Sequence, residues 1–235
     1  MRLPTASRLD LFWACSGPWH LPLPDEPEPT SKAAERGKTI HAQVETGDTS
    51  TADGQRAARA MEDLPPHFAL ESVPLHEVVV FYDLDTGPGI LGYVGANPRE
   101  NWPRREKRIY GIADYVARTA SHLLIADLKT GSAEWLKMPW EELQTRFLSA
   151  VVSQSLNWTA NTYACIVSSE AERAWCQEWT SAELRTFLSQ ISMRVTQEEK
   201  VATTVATTYH LTPGEHCTFC LVRKKCPLMG YASAT

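Results

Sequence analysis

Asp127 and Lys129 stand two apart in the apolar run Leu123-Leu-Ile-Ala-Asp-Leu-Lys129. Residues two apart on a strand point the same way, so this run predicts a carboxylate and an ammonium side by side. Desolvating such groups inside a sheet is costly, which favours a strand end or a cleft. Asp114 is a second lone carboxylate, within Ile109-Tyr-Gly-Ile-Ala-Asp-Tyr-Val-Ala117. A hairpin of the two runs would bring Asp114 close to Asp127. Two carboxylates held together repel unless a cation lies between them, and oxygen donors suit Mg²⁺ or Mn²⁺. Such an ion polarises a phosphate and lowers the pKa of bound water, which is the chemistry of phosphodiester hydrolysis. Lys129 would stabilise the growing negative charge or orient the attacking water. Spacing alone fits equally well an ion pair on an edge strand, worth about 0–1 kcal/mol.

Cysteines form a second group. Cys217, Cys220 and Cys226 lie in C-T-F-C-L-V-R-K-K-C-P, among Pro213, Gly214, Arg223, Lys224 and Lys225. A C-x-x-C pair lets two thiolates meet one metal or cluster from a tight turn, and nearby cations favour the thiolate. A fourth ligand is then needed, and Cys15, His210 and His216 all qualify. Zinc accepts Cys₄ or Cys₃His, whereas an iron–sulfur cluster favours four thiolates. Cys165, in the run Tyr163–Val167, and Cys176, beside Trp175, read as free, small, buried hydrophobes.

The chain that must position these residues has 235 of them, 43% hydrophobic and 22% charged, a globular balance with room for one substantial core. Its net charge of −5 excludes a wholly basic nucleic-acid coat but not a local basic patch. No run approaches the roughly 18 to 20 apolar residues that span a bilayer. Arg8 and Asp10 break the apolar face of Met1–Trp19, unlike a signal peptide, so a cytoplasmic protein is expected. Structural disulfides are rare in that compartment.

Ser7 would cap a short helix to Cys15, and a Pro-rich loop follows from Gly17 to Thr30. Helices are expected over Ser31–Glu45, with Gly47 as the stop, and over Gln55–Asp63. Gly37 inside the first costs about 1 kcal/mol against Ala, which suggests close packing there. Strands are expected over Leu75–Tyr82, Ile90–Val94, Ile109–Ala117, Leu123–Lys129, Thr162–Ser168 and Arg173–Trp179. Further helices are expected over Pro139–Asn157 and from a cap at Thr180 or Ser181. The order predicts a mixed α/β or α+β domain with one central sheet. Its parts are residues 1–30 (helix and Pro-rich loop), 31–210 (core) and 211–235 (cysteine segment).

D-x-K, preceded thirteen residues earlier by the Asp of G-I-A-D and followed by T-G, resembles the PD-(D/E)XK nucleases of the RecB type. G-K-T-I-H (Gly37 to His41) resembles their upstream G-x-x-x-H motif. Cys15 with the later C-x₂-C-x₅-C-P resembles the iron–sulfur subgroup, which includes the AddB nuclease domain and the CRISPR-associated exonucleases. The likeness runs from Ser7 to Pro227 and implies an α/β fold with a central mixed sheet. It also implies that His41, Asp114 and Asp127 hold a catalytic Mg²⁺ or Mn²⁺, and that Lys129 is the base or charge stabiliser. Cys15, Cys217, Cys220 and Cys226 would hold a 4Fe–4S cluster that ties the cysteine-rich C-terminal loop to the N-terminal helix. The family's Q-x-x-x-Y motif is incomplete, because Gln144 is followed four residues on by Leu148; Gln154 competes for the role. Glu71 matches an acidic position found between the His and the first Asp.

The implied activity is a metal-dependent DNA exonuclease acting on single strands or duplex ends, in recombination, repair or CRISPR spacer processing. A recombination or CRISPR adaptation protein is the implied partner. Arg99, Arg104, Arg105, Lys107 and Arg108 could bind phosphate, as could Arg223-Lys224-Lys225, and Trp102 could stack on a base. The rival readings are an inactive adaptor that keeps the nuclease fold, and a nuclease with structural zinc in place of the cluster.

Overall fold

A computed structural model of the chain describes residues 3–21, 31–65, 68, 74–93, 107–204, 211–220 and 222–230. Glu71, His210, Trp102 and the basic residues Arg99, Arg104 and Arg105 lie outside this set. Six strands form one sheet: β1 (Leu75–Asp83), β2 (Gly87–Tyr93), β3 (Arg108–Arg118), β4 (Leu123–Lys129), β5 (Thr162–Ser168) and β6 (Arg173–Trp179). Their order is β2-β1-β3-β4-β5-β6. Only β4 and β5 run parallel; the other neighbours are antiparallel. A parallel neighbour needs a crossover, and the chain between β4 and β5 supplies it as α5 (Leu143–Ser155).

Before the sheet come α1 (Leu9–Ala14), α2 (Gly17–His20), α3 (Lys32–Thr46) and α4 (Ala52–Glu62). After β6 come α6 (Ser181–Thr204) and the short α7 (Pro227–Gly230). Sequence chemistry fixes the ends of several. The Ser31 hydroxyl accepts the Ala34 N–H at the start of α3, and Gly47 ends it in the left-handed region at φ 67°. The Thr51 hydroxyl likewise accepts the Gly54 N–H at the start of α4. Helix α5 begins at Leu143, four residues later than Pro139. Glu142 is still extended there, and Asp10 Oδ2 accepts the Leu143 N–H.

Two apolar cores lie on the two faces of the sheet. One joins α1, α5 and α6 to Val78, Val80, Ile109, Ala113, Leu123 and Ile125. The other joins α3 and α4 to Ala117, Leu124, Ala126, Leu128, Cys165 and Val167. Alternation is regular along β4: Leu123 and Ile125 face the first core, and Leu124, Ala126 and Leu128 the second. On β3 it slips by one. Ala113 and Val116 both face the first core although they are three apart. The slip lies at Asp114, opposite Glu77 of β1, whose φ of 49° is left-handed. A local irregularity of this kind re-aims side chains. Here it turns Asp114 and Glu77 away from the first core, towards α3.

The reading of Cys165 and Cys176 as free core cysteines is corrected. They face one another across the β5–β6 ladder and are joined in a disulfide. Register across the sheet, which eleven residues of sequence separation do not reveal, puts them together. Lys107 and Arg108 are engaged within the protein. Lys107 pairs with Asp85 at 3.0 Å, and half-buried Arg108 pairs with Asp83 at 2.8 Å over the Phe81 ring.

The two ends of the described chain meet. A Cβ added to Gly17 would stand 2.4 Å from Leu211 Cδ2 and 3.4 Å from Cys15 Sγ, so glycine allows the contact. Nearby, His20 of α2 lies 3.5 Å from the buried carboxylate of Glu198, which Arg194 also pairs at 3.0 Å. No helix among the described residues is long and apolar enough to cross a membrane.

Candidate active site

His41, Asp114, Asp127, Lys129 and Gln144 line one cavity of about 710 Å³, together with Glu77, Gly37 and the N-terminal residues Thr5, Ala6 and Ser7. Each side chain arrives from a different element. Asp127 and Lys129 continue the alternation of β4 onto the α5 face, at the end of the strand. Asp114 comes from the slipped position of β3, and its Oδ2 accepts the Leu128 N–H at 2.7 Å. His41 comes from α3, with Nδ1 3.5 Å from Asp114 Oδ1. Gly37, one helical turn earlier, lets α3 approach: a Cβ there would stand 2.9 Å from Thr130 Oγ1. Thr130 follows Lys129 directly, so the glycine explains how α3 packs on the end of the active strand.

Asp127 is 3% exposed and both its oxygens are engaged. Gln144 Nε2 donates to Oδ1 at 2.6 Å, and Lys129 Nζ meets Oδ2 at 2.6 Å. Lys129 also meets Glu142 Oε1 at 2.6 Å and donates to Gln144 Oε1 at 3.2 Å. The Thr145 hydroxyl donates to the other Glu142 oxygen. Sequence reasoning missed Glu142. Its signal was slight, an acid two residues before Gln144, and its place depends on where α5 starts. Glu77 was missed too, although a carboxylate within L-H-E-V-V-V was visible. Gln154, the competing glutamine, is not among the cavity's residues. Leu148, in place of the tyrosine, is fully buried in the core.

Burial lowers the pKa of His41, against the pull of Asp127 and Glu77, so its imidazole is neutral and can act as a ligand. Burial, then repulsion from Asp127, raises Asp114 well above the ordinary carboxylate range. Burial also acts against the Lys129 ammonium, yet Asp127 and Glu142 together hold its pKa above that of an ordinary lysine. One ammonium cannot neutralise two buried carboxylates, and Glu142 is pushed up by burial and by Asp127.

The cavity gathers three carboxylates, Glu77, Asp114 and Asp127, against the ammoniums of Lys38 and Lys129, with a neutral imidazole beside them. That donor set fits a hard divalent cation. Among the described residues, no three His, Cys, Asp or Glu side chains already close on one metal position. Asp127 is turned to Lys129 and Gln144 instead.

Cys15, Cys217, Cys220 and Cys226 are thiols that line a second, small cavity with His216. Burial raises the Cys220 thiol, and the other three sulfurs raise it further. His216 Nε2 is buried there without a hydrogen-bond partner. Arg223 and Lys225 are exposed beside them.

The profile of the PD-(D/E)XK nuclease superfamily matches residues 5–227. No curated protein matches the sequence. Among solved structures, that of SSO0001 aligns with a TM-score of 0.40 at 11% identity, covering 84% of this chain and 71% of that one. The family profile spans almost the whole chain, from the N-terminal turn to the last cysteine, and the chain belongs to the PD-(D/E)XK nuclease superfamily.

Proposed function

We propose that the chain is a Mg²⁺- or Mn²⁺-dependent deoxyribonuclease that works from single-strand or duplex ends. The observation that carries this reading is the meeting of Asp114, Asp127, His41 and Lys129 in one cavity. A divalent ion there would supply Lewis acidity at the scissile phosphate and acidify the attacking water. Asp114 and Asp127 offer its oxygen ligands and His41 a nitrogen. Lys129 carries the positive charge that the phosphate gains from as negative charge builds up. Gln144 orients Asp127 and Lys129 through one hydrogen bond to each.

The test uses pure protein, Mn²⁺ and end-labelled DNA. Asp127→Ala and Lys129→Ala should each lower degradation at least about 100-fold, with the far-UV circular dichroism unchanged. Full activity in both variants overturns the assignment. Loss of label from the ends before internal cuts appear is the expected pattern for an exonuclease.

The four thiols belong, in the same proposal, to a structural 4Fe–4S cluster. The four residues line a common cavity, and four thiolates are the set that an iron–sulfur cluster favours. Zinc remains the second reading because His216, whose Nε2 is buried without a partner, offers a Cys₃His set. Anaerobic purification should give a brown protein with iron and acid-labile sulfide; colourless protein with one zinc favours the alternative. DNA processing in recombination, repair or CRISPR spacer acquisition, with a protein partner from such a pathway, is the setting proposed for this chemistry.

A further inference from the structure

Asp127 cannot take a cation without giving something up. Its Oδ2 is held by Lys129 and its Oδ1 by Gln144, each at 2.6 Å. A cation at Oδ2 would compete with the ammonium already there, and a half-buried lysine that yields needs another anion to turn to. Glu142 stands at that place. It is 7% exposed, its Oε1 is 2.6 Å from Lys129 Nζ, and its other oxygen accepts the Thr145 hydroxyl. It occupies the N-cap position of α5, yet its side chain caps no backbone N–H. The carboxylate is turned inward to the lysine rather than along the helix.

We propose that Glu142 is the positioning residue that receives Lys129 when Asp127 turns to a divalent cation, and so keeps the ammonium within reach of the substrate phosphate. The inference rests on the metal-dependent reading of the site given above. Without Glu142, Lys129 has only Asp127 as a carboxylate partner and competes with the ion for it. Gln144 offers the ammonium a neutral oxygen, which replaces a lost carboxylate poorly.

The test is a double-mutant cycle read by Mn²⁺ binding to DNA-free protein, followed by electron paramagnetic resonance. Glu142→Gln should weaken Mn²⁺ binding about tenfold. Lys129→Met frees Asp127, and in that background Glu142→Gln should change binding by less than about twofold. In the protein that keeps Lys129, Glu142→Gln should also lower kcat at saturating Mn²⁺ and leave KM for DNA unchanged. Glu142→Asp keeps the charge but withdraws the carboxylate, and should weaken Mn²⁺ binding as Glu142→Gln does; it serves as the second variant if Glu142→Gln folds poorly. Equal weakening in both backgrounds would show a ligand or a general charge and overturn the role. Unchanged binding in both backgrounds overturns it as well. Wild-type protein that binds no Mn²⁺ removes the metal reading itself, an outcome distinct from either.

Discussion

Asp114 is a carboxyl at odds with its surroundings. Burial and Asp127 raise its pKa in the folded chain. A carboxyl whose folded pKa lies above its unfolded value favours folding fully below the unfolded pKa, and that contribution is lost as pH rises through the folded pKa. The metal-free protein should therefore lose stability, through this group, as pH rises above the ordinary carboxylate range. Asp114→Asn removes the charge and keeps an oxygen for the Leu128 N–H. Its Tm at pH 7 without metal should rise by about 2–4 °C, the equivalent of roughly 1 kcal/mol in a domain of this size, while nuclease activity is lost. A Tm below wild type under those conditions would contradict the argument. Asp114, Asp127 and Lys129 were legible in the sequence because charged residues in apolar strands stand out. Glu142 was not, because its partner is chosen by the N-terminus of a helix that Asp10 helps to set from far away in the chain.

Elements were legible where they are periodic or capped. β4, β5 and β6 have the expected bounds, and Ser31 and Gly47 delimit α3. What periodicity could not show is the slip at Asp114 and Glu77, since a change of face in mid-strand needs two strands to be seen together. Pairing across strands hid the Cys165–Cys176 bond for the same reason. Gly37 is the element-scale case where sequence raised the question and packing answers it. Alanine would gain about 1 kcal/mol of helix propensity, but its Cβ would meet Thr130 Oγ1 at 2.9 Å. Gly37→Ala should leave Tm within a few degrees of wild type, the two effects opposing each other. It should still lower activity, by moving the end of β4 that bears Lys129. A thermal melt beside a nuclease assay checks both halves; unchanged activity would mean that Thr130 yields without disturbing its neighbour.

At the scale of the whole molecule, the cysteine segment and the N-terminal helices act on one another through Gly17, Leu211 and Cys15. The same N-terminal segment contributes Thr5, Ala6 and Ser7 to the rim of the active cavity. If a cluster joins the two ends, Cys226→Ser should abolish bound iron, lower Tm and weaken DNA binding more than it slows the chemical step. Iron analysis, a thermal melt and a filter-binding assay measure the three effects. The resemblance to the iron–sulfur nucleases implied this closure, but not that the N-terminal segment also borders the candidate active cavity. The order of the strands has a further consequence for self-association. Among the described residues β2 and β6 are outermost in the sheet, and an outer strand offers its unpaired backbone as a template for another chain. β2 carries Pro88 amid Gly87, Gly89 and Gly92, a composition that pairs poorly. Along β6 the charges of Arg173 and Glu178 discourage a like neighbour. Pro88→Val, which restores a backbone donor to the outer strand, should leave the fold intact and bring on concentration-dependent oligomers in light scattering.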